Sequence, residues 1–124
     1  MSKTDILRVP DYLGHILEAI RRIHNYVEEI DEAGFLNDVK TQDAVIRNFE
    51  VIGEASNNIR NHHPDFFTAH SAIPLGPAYE MRNALAHGYF KIDLSTVWNT
   101  IHDDFQALAE QIEAVLASDY PGGI

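Results

Sequence analysis

The stretch PDYLGHILEAIRRIHNYVEEI, residues 10–30, decides the fold class. Leu13, Ile16, Leu17, Ile20, Ile23, Val27 and Ile30 recur at intervals of three and four, the period of an amphipathic helix. Pro10 suits the first turn, where its missing N–H leaves no intrahelical bond unmade. The opposite face carries Arg21, Arg22, Glu28 and Glu29. At ~1.5 Å per residue such a helix spans roughly 30 Å. An apolar stripe of that length has to be covered by other elements.

The rest of the chain supplies them. Asp31 to Lys40 reads as a loop with Gly34 as a helix-ending residue, and Thr41 as the N-cap of a second helix. That helix runs through Val45, Ile46, Phe49, Ile52 and Ile59 towards His62. Gly53 inside it weakens helix propensity by up to ~1 kcal/mol, which is tolerable where another helix packs close. Pro64 to Pro77 reads as a loop with one short helical turn around Asp65-Phe66-Phe67. A shorter helix follows from Pro77 to His87 and stops at Gly88. The last helix starts near Ser95, with Val97, Trp98, Ile101, Phe105, Leu108, Ile112, Val115 and Leu116 on one face. No strand pattern and no repeat is present. The expectation is all-α: an antiparallel bundle of four main helices plus a short connecting helix, one domain over residues 1–124 with its core at about 10–117.

Composition narrows the function. With no cysteine there is no disulfide framework, thiolate metal site or cysteine nucleophile. No apolar run approaches the ~20 residues of a membrane span, and the polar start lacks a signal-peptide core, so a cytoplasmic protein without membrane contact is expected. Nineteen acidic residues against nine basic ones give a formal charge of -10, which argues against duplex DNA as a partner. The charge is uneven. After Lys91 there is no Lys or Arg, whereas Asp93, Asp103, Asp104, Glu110, Glu113 and Asp119 follow. An anionic ligand should therefore meet the middle of the chain, and the acidic end suits a basic protein partner.

The chemistry is concentrated in Arg82-Asn83-Ala84-Leu85-Ala86-His87-Gly88-Tyr89. A permanent cation, a titratable acid/base and a phenol stand within eight residues. Asn83 and His87, four apart, share a helix face, so the amide could fix the imidazole ring. Arg82 and His87, five apart, lie about 140° apart around an ideal helix. Both can enter one groove if the helix end unwinds or a second copy closes the groove. Taken alone, Arg, Asn, His and Tyr at a helix end could equally cap carbonyls and pack on neighbours.

The order Arg82-x4-His87-x-Tyr89, with Asn83, resembles the signature of the HEPN superfamily, helical domains that include many ribonucleases. Asp43-Ala44-Val45-Ile46-Arg47-Asn48 leading into Ile52-Gly53-Glu54-Ala55, and Met81 to Phe90 after a Pro-rich loop, are similar to the HepT (DUF86) branch. The resemblance spans roughly Asp11 to Leu116. One departure is the Ile73-Pro74-Leu75 before the motif helix, where that branch usually has Ile-Pro-Trp.

This resemblance implies a metal-independent endoribonuclease with no cofactor, the toxin of a type VII toxin–antitoxin pair. His87 would move the proton of a ribose 2′-hydroxyl or of the leaving oxygen, since imidazoles titrate near neutrality. Arg82 would stabilise charge on the reacting phosphate, and Asn83 would orient the base or a phosphate oxygen. The groove of the family forms between two protomers, implying a homodimer. Tyr89 is implied as the site where an MntA-type nucleotidyltransferase antitoxin attaches AMP and silences the toxin.

Other features have simpler readings. Arg22-Ile23-His24-Asn25-Tyr26 holds a second His-x-Tyr with the wrong Arg spacing, and reads as surface. His62, His63 and His70 invite zinc but read as solvated loop. Arg47, Glu50 and Glu54 read either as an intrahelical ion-pair ladder or as support for Arg82 or His87 from across a helix pair. Trp98 reads as core. A different class of function, a non-catalytic HEPN module binding a nucleotidyltransferase and nucleotides, draws on the acidic charge. The intact Arg82/His87 pair favours the enzyme.

Overall fold

A computed structural model describes residues 6–87 and 93–121, except for the side chains of Ala86 and His87. Among the described residues there are seven helical segments and no strand. The all-α expectation holds.

The first long helix, α1 (Val9–Val27), buries Leu13, Ile16, Ile20, Ile23 and Val27, the apolar stripe read from the sequence. Pro10 lies in its first turn, and Asp11 accepts a hydrogen bond from the Arg8 backbone N–H at 3.2 Å. The helix ends three residues short of the expected Ile30. Ile30 turns back instead, its N–H donating to Val27 O at 3.2 Å.

The expected loop from Asp31 to Lys40 contains a further helix, α2 (Glu32–Leu36). Asp31 caps it by accepting from the Gly34 N–H at 2.8 Å. This short turn drives Phe35 into the core, fully buried, where its ring meets Trp98 at 5.5 Å. The second long helix, α3 (Val39–His62), starts earlier than Thr41 suggests. Asp38 is the N-cap: its carboxylate accepts from the Thr41 N–H at 3.1 Å and from the Thr41 hydroxyl at 2.7 Å. A carboxylate three residues upstream outcompetes the Thr41 hydroxyl for the orphan amides of the first turn.

The Pro-rich segment is more helical than expected. It forms α4 (Pro64–Ala69), and α5 (Leu75–His87) begins at Leu75, ahead of Pro77. Proline at an early helical position loses no bond, so Pro77 sits inside the first turn instead of marking its start. The final helix divides into α6 (Leu94–Asp103) and α7 (Phe105–Asp119). Asp93 caps α6, accepting from the Ser95 and Thr96 N–H groups at 3.1 and 3.2 Å.

Helix α3 lies between α1 and α5 and packs extensively on both. One core runs through the bundle, including Leu13, Ile16, Val45, Ile52, Ile59, Ile101 and Ile112. Phe49 of α3 and Phe105 of α7 meet at 5.0 Å between ring centroids. Two buried polar groups on α3 bond along the helix, Ser56 Oγ donating to Ile52 O at 2.8 Å and Asn48 Nδ2 to Ala44 O at 2.9 Å, while Gln42 Nε2 donates across to Phe35 O of α2 at 2.9 Å. Trp98 is half-buried at the core's edge, stacked obliquely on His102 at 4.2 Å. Among the described residues no helix is long and apolar enough to cross a membrane.

Candidate active site

The site begins with a residue that has no side chain. A Cβ built on Gly53 would fall 2.1 Å from Arg82 Cβ, 2.6 Å from its Cγ and 3.2 Å from the Ala78 carbonyl oxygen. Distances below 3.0 Å are overlaps, so α3 and α5 approach this closely only because position 53 is glycine. The expected close helix contact at Gly53 is present, and its partner is the motif arginine.

That approach fixes where Arg82 can go. Its stem lies flat against α3, and its side chain is 30% exposed. Nη2 sits 3.2 Å from Glu54 Oε2, and Nη1 donates to Asn83 Oδ1 at 3.0 Å. Nε is buried with no described hydrogen-bond partner. The planar guanidinium is thus gripped from two sides, and its buried Nε–H has no partner among the described residues. A fork held this way keeps its orientation before any anion arrives.

Glu54 therefore reaches across the helix pair to Arg82. Arg47 does something different: its Nη1 stands 3.8 Å from Glu50 Oε1, and its side chain is 72% exposed. Together Tyr12 and His15 from α1, Arg47, Glu50, Glu54 and Asn58 from α3, and Arg82 from α5 line a cleft of about 260 Å³. The sequence reading assigned no part to His15 or Asn58. The available signal was position: His15 lies one turn beyond Tyr12, off the apolar stripe of α1. A second cavity of about 380 Å³ opens between α5 and the α6–α7 junction. It is lined by Phe49, Ile52, Met81, Phe105 and Leu108, and among the described motif residues neither Arg82 nor Asn83 lines it.

His87 is the last residue of α5, five positions along the helix from Arg82. Its side chain, and Gly88 and Tyr89 altogether, lie outside the described residues. The expected contact of Asn83 with the imidazole of His87 lies outside the described residues; the Asn83 amide oxygen accepts from Arg82. The remaining histidines are dispersed. His63 Nε2 is 2.8 Å from Leu7 O, while His70 Nε2 is 3.1 Å from Asp119 Oδ2 and tethers α4 to the end of α7.

A helical bundle with this arginine and histidine on one helix now bears comparison with known proteins. The family model described as "Ribonuclease HepT-like" matches residues 16–115. The chain belongs to the HepT-like family. A protein of Thermococcus cleftensis named "Probable ribonuclease HepT" is 45% identical over 103 residues, covering 83% of this chain and 91% of that protein. A Methanocaldococcus jannaschii protein named "Putative RNase" is 35% identical over 115 residues, 93% of this chain and 100% of its own. A Caldanaerobacter subterraneus protein with the same style of name is 31% identical over 108 residues, covering 87% of this chain and 94% of its own. No solved structure gives a significant match. In this HepT-like chain the motif arginine is the residue around which α3 and α5 are fitted.

Proposed function

We propose that this HepT-like protein is a metal-independent endoribonuclease, working as a homodimer whose groove lies between protomers. The observation that carries the reading is the pre-oriented Arg82 guanidinium, held by Glu54 and Asn83, with a buried Nε–H that has no partner among the described residues. Supporting it are family membership and relatives named as ribonucleases.

In the proposed reaction the imidazole of His87 accepts the proton of a ribose 2′-hydroxyl. The 2′-oxygen then attacks the adjacent phosphorus, and the bond from phosphorus to the 5′-oxygen breaks. The departing 5′-oxygen takes up a proton, leaving a 2′,3′-cyclic phosphate and a 5′-hydroxyl. Arg82 faces the negative charge that builds on the phosphate oxygens, where a fork of fixed donors is most effective. Glu54 and Asn83 hold that fork, and Arg47 adds positive charge to the same cleft.

We further read the protein as the toxin of a pair, silenced when a nucleotidyltransferase antitoxin attaches AMP to Tyr89. The phenol oxygen would attack the α-phosphorus of ATP and release pyrophosphate. Bound AMP would add negative charge where the substrate phosphate has to lie.

Purified, unmodified protein should cleave single-stranded RNA in the presence of EDTA, and His87→Ala should reduce the rate at least about 10²-fold. Equal behaviour of wild type and His87→Ala, both folded and unmodified, would overturn the catalytic reading in favour of a non-catalytic binding module. Intact mass after co-expression with a cognate MntA-type nucleotidyltransferase checks the second claim. Adducts in multiples of AMP, lost in Tyr89→Phe, are the expected result.

A further inference from the structure

The cleft that holds Arg82 extends well past it, onto α1. Its far wall is His15, an exposed residue set by a rigid neighbour. Tyr12 is buried, its hydroxyl accepts from the Leu7 N–H at 3.2 Å, and its ring meets the His15 ring edge to face at 6.3 Å. The His15 imidazole is therefore propped at the cleft wall by a residue that is itself fixed in the core.

The charges in the cleft nearly cancel without it. Arg47 and Arg82 are balanced by Glu50 and Glu54, which lie beside them. On α1 the carboxylates one turn either side of His15 are already engaged, Asp11 by the Arg8 side chain and backbone and Glu18 by Arg21 and Arg22. The α5 wall contributes Arg82 alone among the cleft's charged groups, and the Tyr12 hydroxyl faces Leu7. The His15 ring then adds a nitrogen donor for a phosphate oxygen that neither ion pair already occupies. Asn58, half-buried on the floor, makes no described side-chain hydrogen bond and offers both a donor and an acceptor. A cleft of about 260 Å³ with this lining suits one nucleotide of a single strand, whose base edges are free to be read.

We propose that this cleft is a second substrate subsite, in which His15 and Arg47 hold the phosphate of the nucleotide next to the one Arg82 addresses, and Asn58 contacts its base. The proposal rests on the ribonuclease reading and names residues that hold substrate without taking part in bond cleavage. Arg82, at the α5 wall, joins the two subsites, so one strand can run from the C-terminal end of α5 across α3 to α1.

A fully 2′-O-methylated single-stranded decamer has no 2′-hydroxyl to react and reports binding alone. Its fluorescence anisotropy should show His15→Ala binding about tenfold more weakly than wild type, roughly the loss of one charge-assisted contact. His15→Arg, which keeps nitrogen donors at that position, should bind within about twofold of wild type. Glu113→Gln, on the exposed face of α7, should bind as wild type does. With cleavable RNA, His15→Ala should raise KM by the same factor and leave kcat nearly unchanged. Wild-type binding by His15→Ala, or equal weakness of His15→Arg and His15→Ala, would overturn the subsite. So would a collapse of kcat with KM intact, which would move His15 into the chemistry. If wild type cleaves through His87 while His15→Ala binds normally, only the subsite fails. If wild type neither binds nor cleaves, both readings fall.

Discussion

Helices α1 and α5 both pack along α3 and are held to the bundle in opposite ways. Helix α1 buries nine residues along a continuous stripe. Helix α5 buries Leu75 and Leu85 near its two ends, and between them presents Met81, Arg82 and Asn83 as half-buried groups. At Gly53, α5 makes backbone-close contact with α3, and further along Arg60 lies over the Tyr79 ring at 4.7 Å. Helix α1 is attached by hydrophobic area, α5 by fit and charge. Of the two, the helix that contributes less to the core is thereby free to carry the chemistry.

The first way to break this contrast is to damage each helix in its own currency. Ile16→Ala removes a fully buried side chain from α1 and should cost about 2–5 kcal/mol in chemical denaturation. Arg82→Ala should leave the unfolding free energy within about 1 kcal/mol of wild type, because its ion pair with the 57%-exposed Glu54 is partly solvated. The same change should abolish cleavage of RNA. A large stability loss in Arg82→Ala would mean that α5 is bound by its arginine as firmly as α1 is by its isoleucines.

Gly53→Ala sets two effects of known size against each other. Replacing glycine inside a helix gains up to ~1 kcal/mol of propensity. The added methyl overlaps Arg82 Cβ and Cγ, which sit on a helix and cannot swing away, and overpacking of this kind costs about 1–3 kcal/mol. The overlap should win. Thermal unfolding should occur at lower temperature, and cleavage should fall sharply because α5 must move off and take Arg82 from Glu54. A more stable, fully active Gly53→Ala protein would show that the helices do not meet there.

These two helices also mark what the sequence discloses. The stripe of α1 is local and periodic, so the helix and its buried face can be read directly. The break between α6 and α7 cannot. The apolar period runs through Asp104, whose N–H still bonds Thr100 O and whose carbonyl still accepts from Leu108 N–H, so the pattern carries no mark of the interruption. Helix α2 hides in a polar loop because one capping carboxylate, Asp31, and one anchor, Phe35, suffice to form it. At the site, the residue types Arg82, Asn83 and His87 are legible, and so is the oddity of Gly53. Which carboxylate faces Arg82 is a tertiary matter. Glu50, three residues beyond Arg47, and Glu54, seven beyond it, share one face of α3 by spacing, and only the packing of α5 at Gly53 selects Glu54.

Glu54→Gln tests that selection with a smaller effect. The amide keeps the shape and can still accept from Nη2, but the charge attraction is lost. Cleavage should drop about three- to tenfold with little change in melting temperature, since a half-exposed pair contributes about 0–1 kcal/mol. Glu50→Gln, one turn away beside Arg47, should change the rate of cleavage less.

The smallest effect separates the caps of α3 and α6 from the site. Hydrogen bonds from the Thr41 hydroxyl and backbone hold the Asp38 carboxyl below the usual carboxylate range, and those of Thr96 do the same for Asp93. Glu18 on α1 is lowered to about 2 by the hydrogen bonds of Arg21 and then Arg22. A carboxylate whose pKa is lowered on folding stabilises the fold above its unfolded value, and that contribution is lost as pH falls through the folded value. Melting temperature should therefore be level with respect to these groups above pH 5 and fall from about pH 4 downward. All three groups are solvent-exposed, so added salt should flatten the slope at Glu18 more than at the caps, where backbone N–H groups are the donors. Asp38→Asn and Asp93→Asn keep an acceptor at the helix start but remove the titration, so each should flatten part of the acid limb while leaving RNA cleavage at neutral pH unchanged. An acid limb identical in the wild type and the double variant would place the acid sensitivity elsewhere in the bundle.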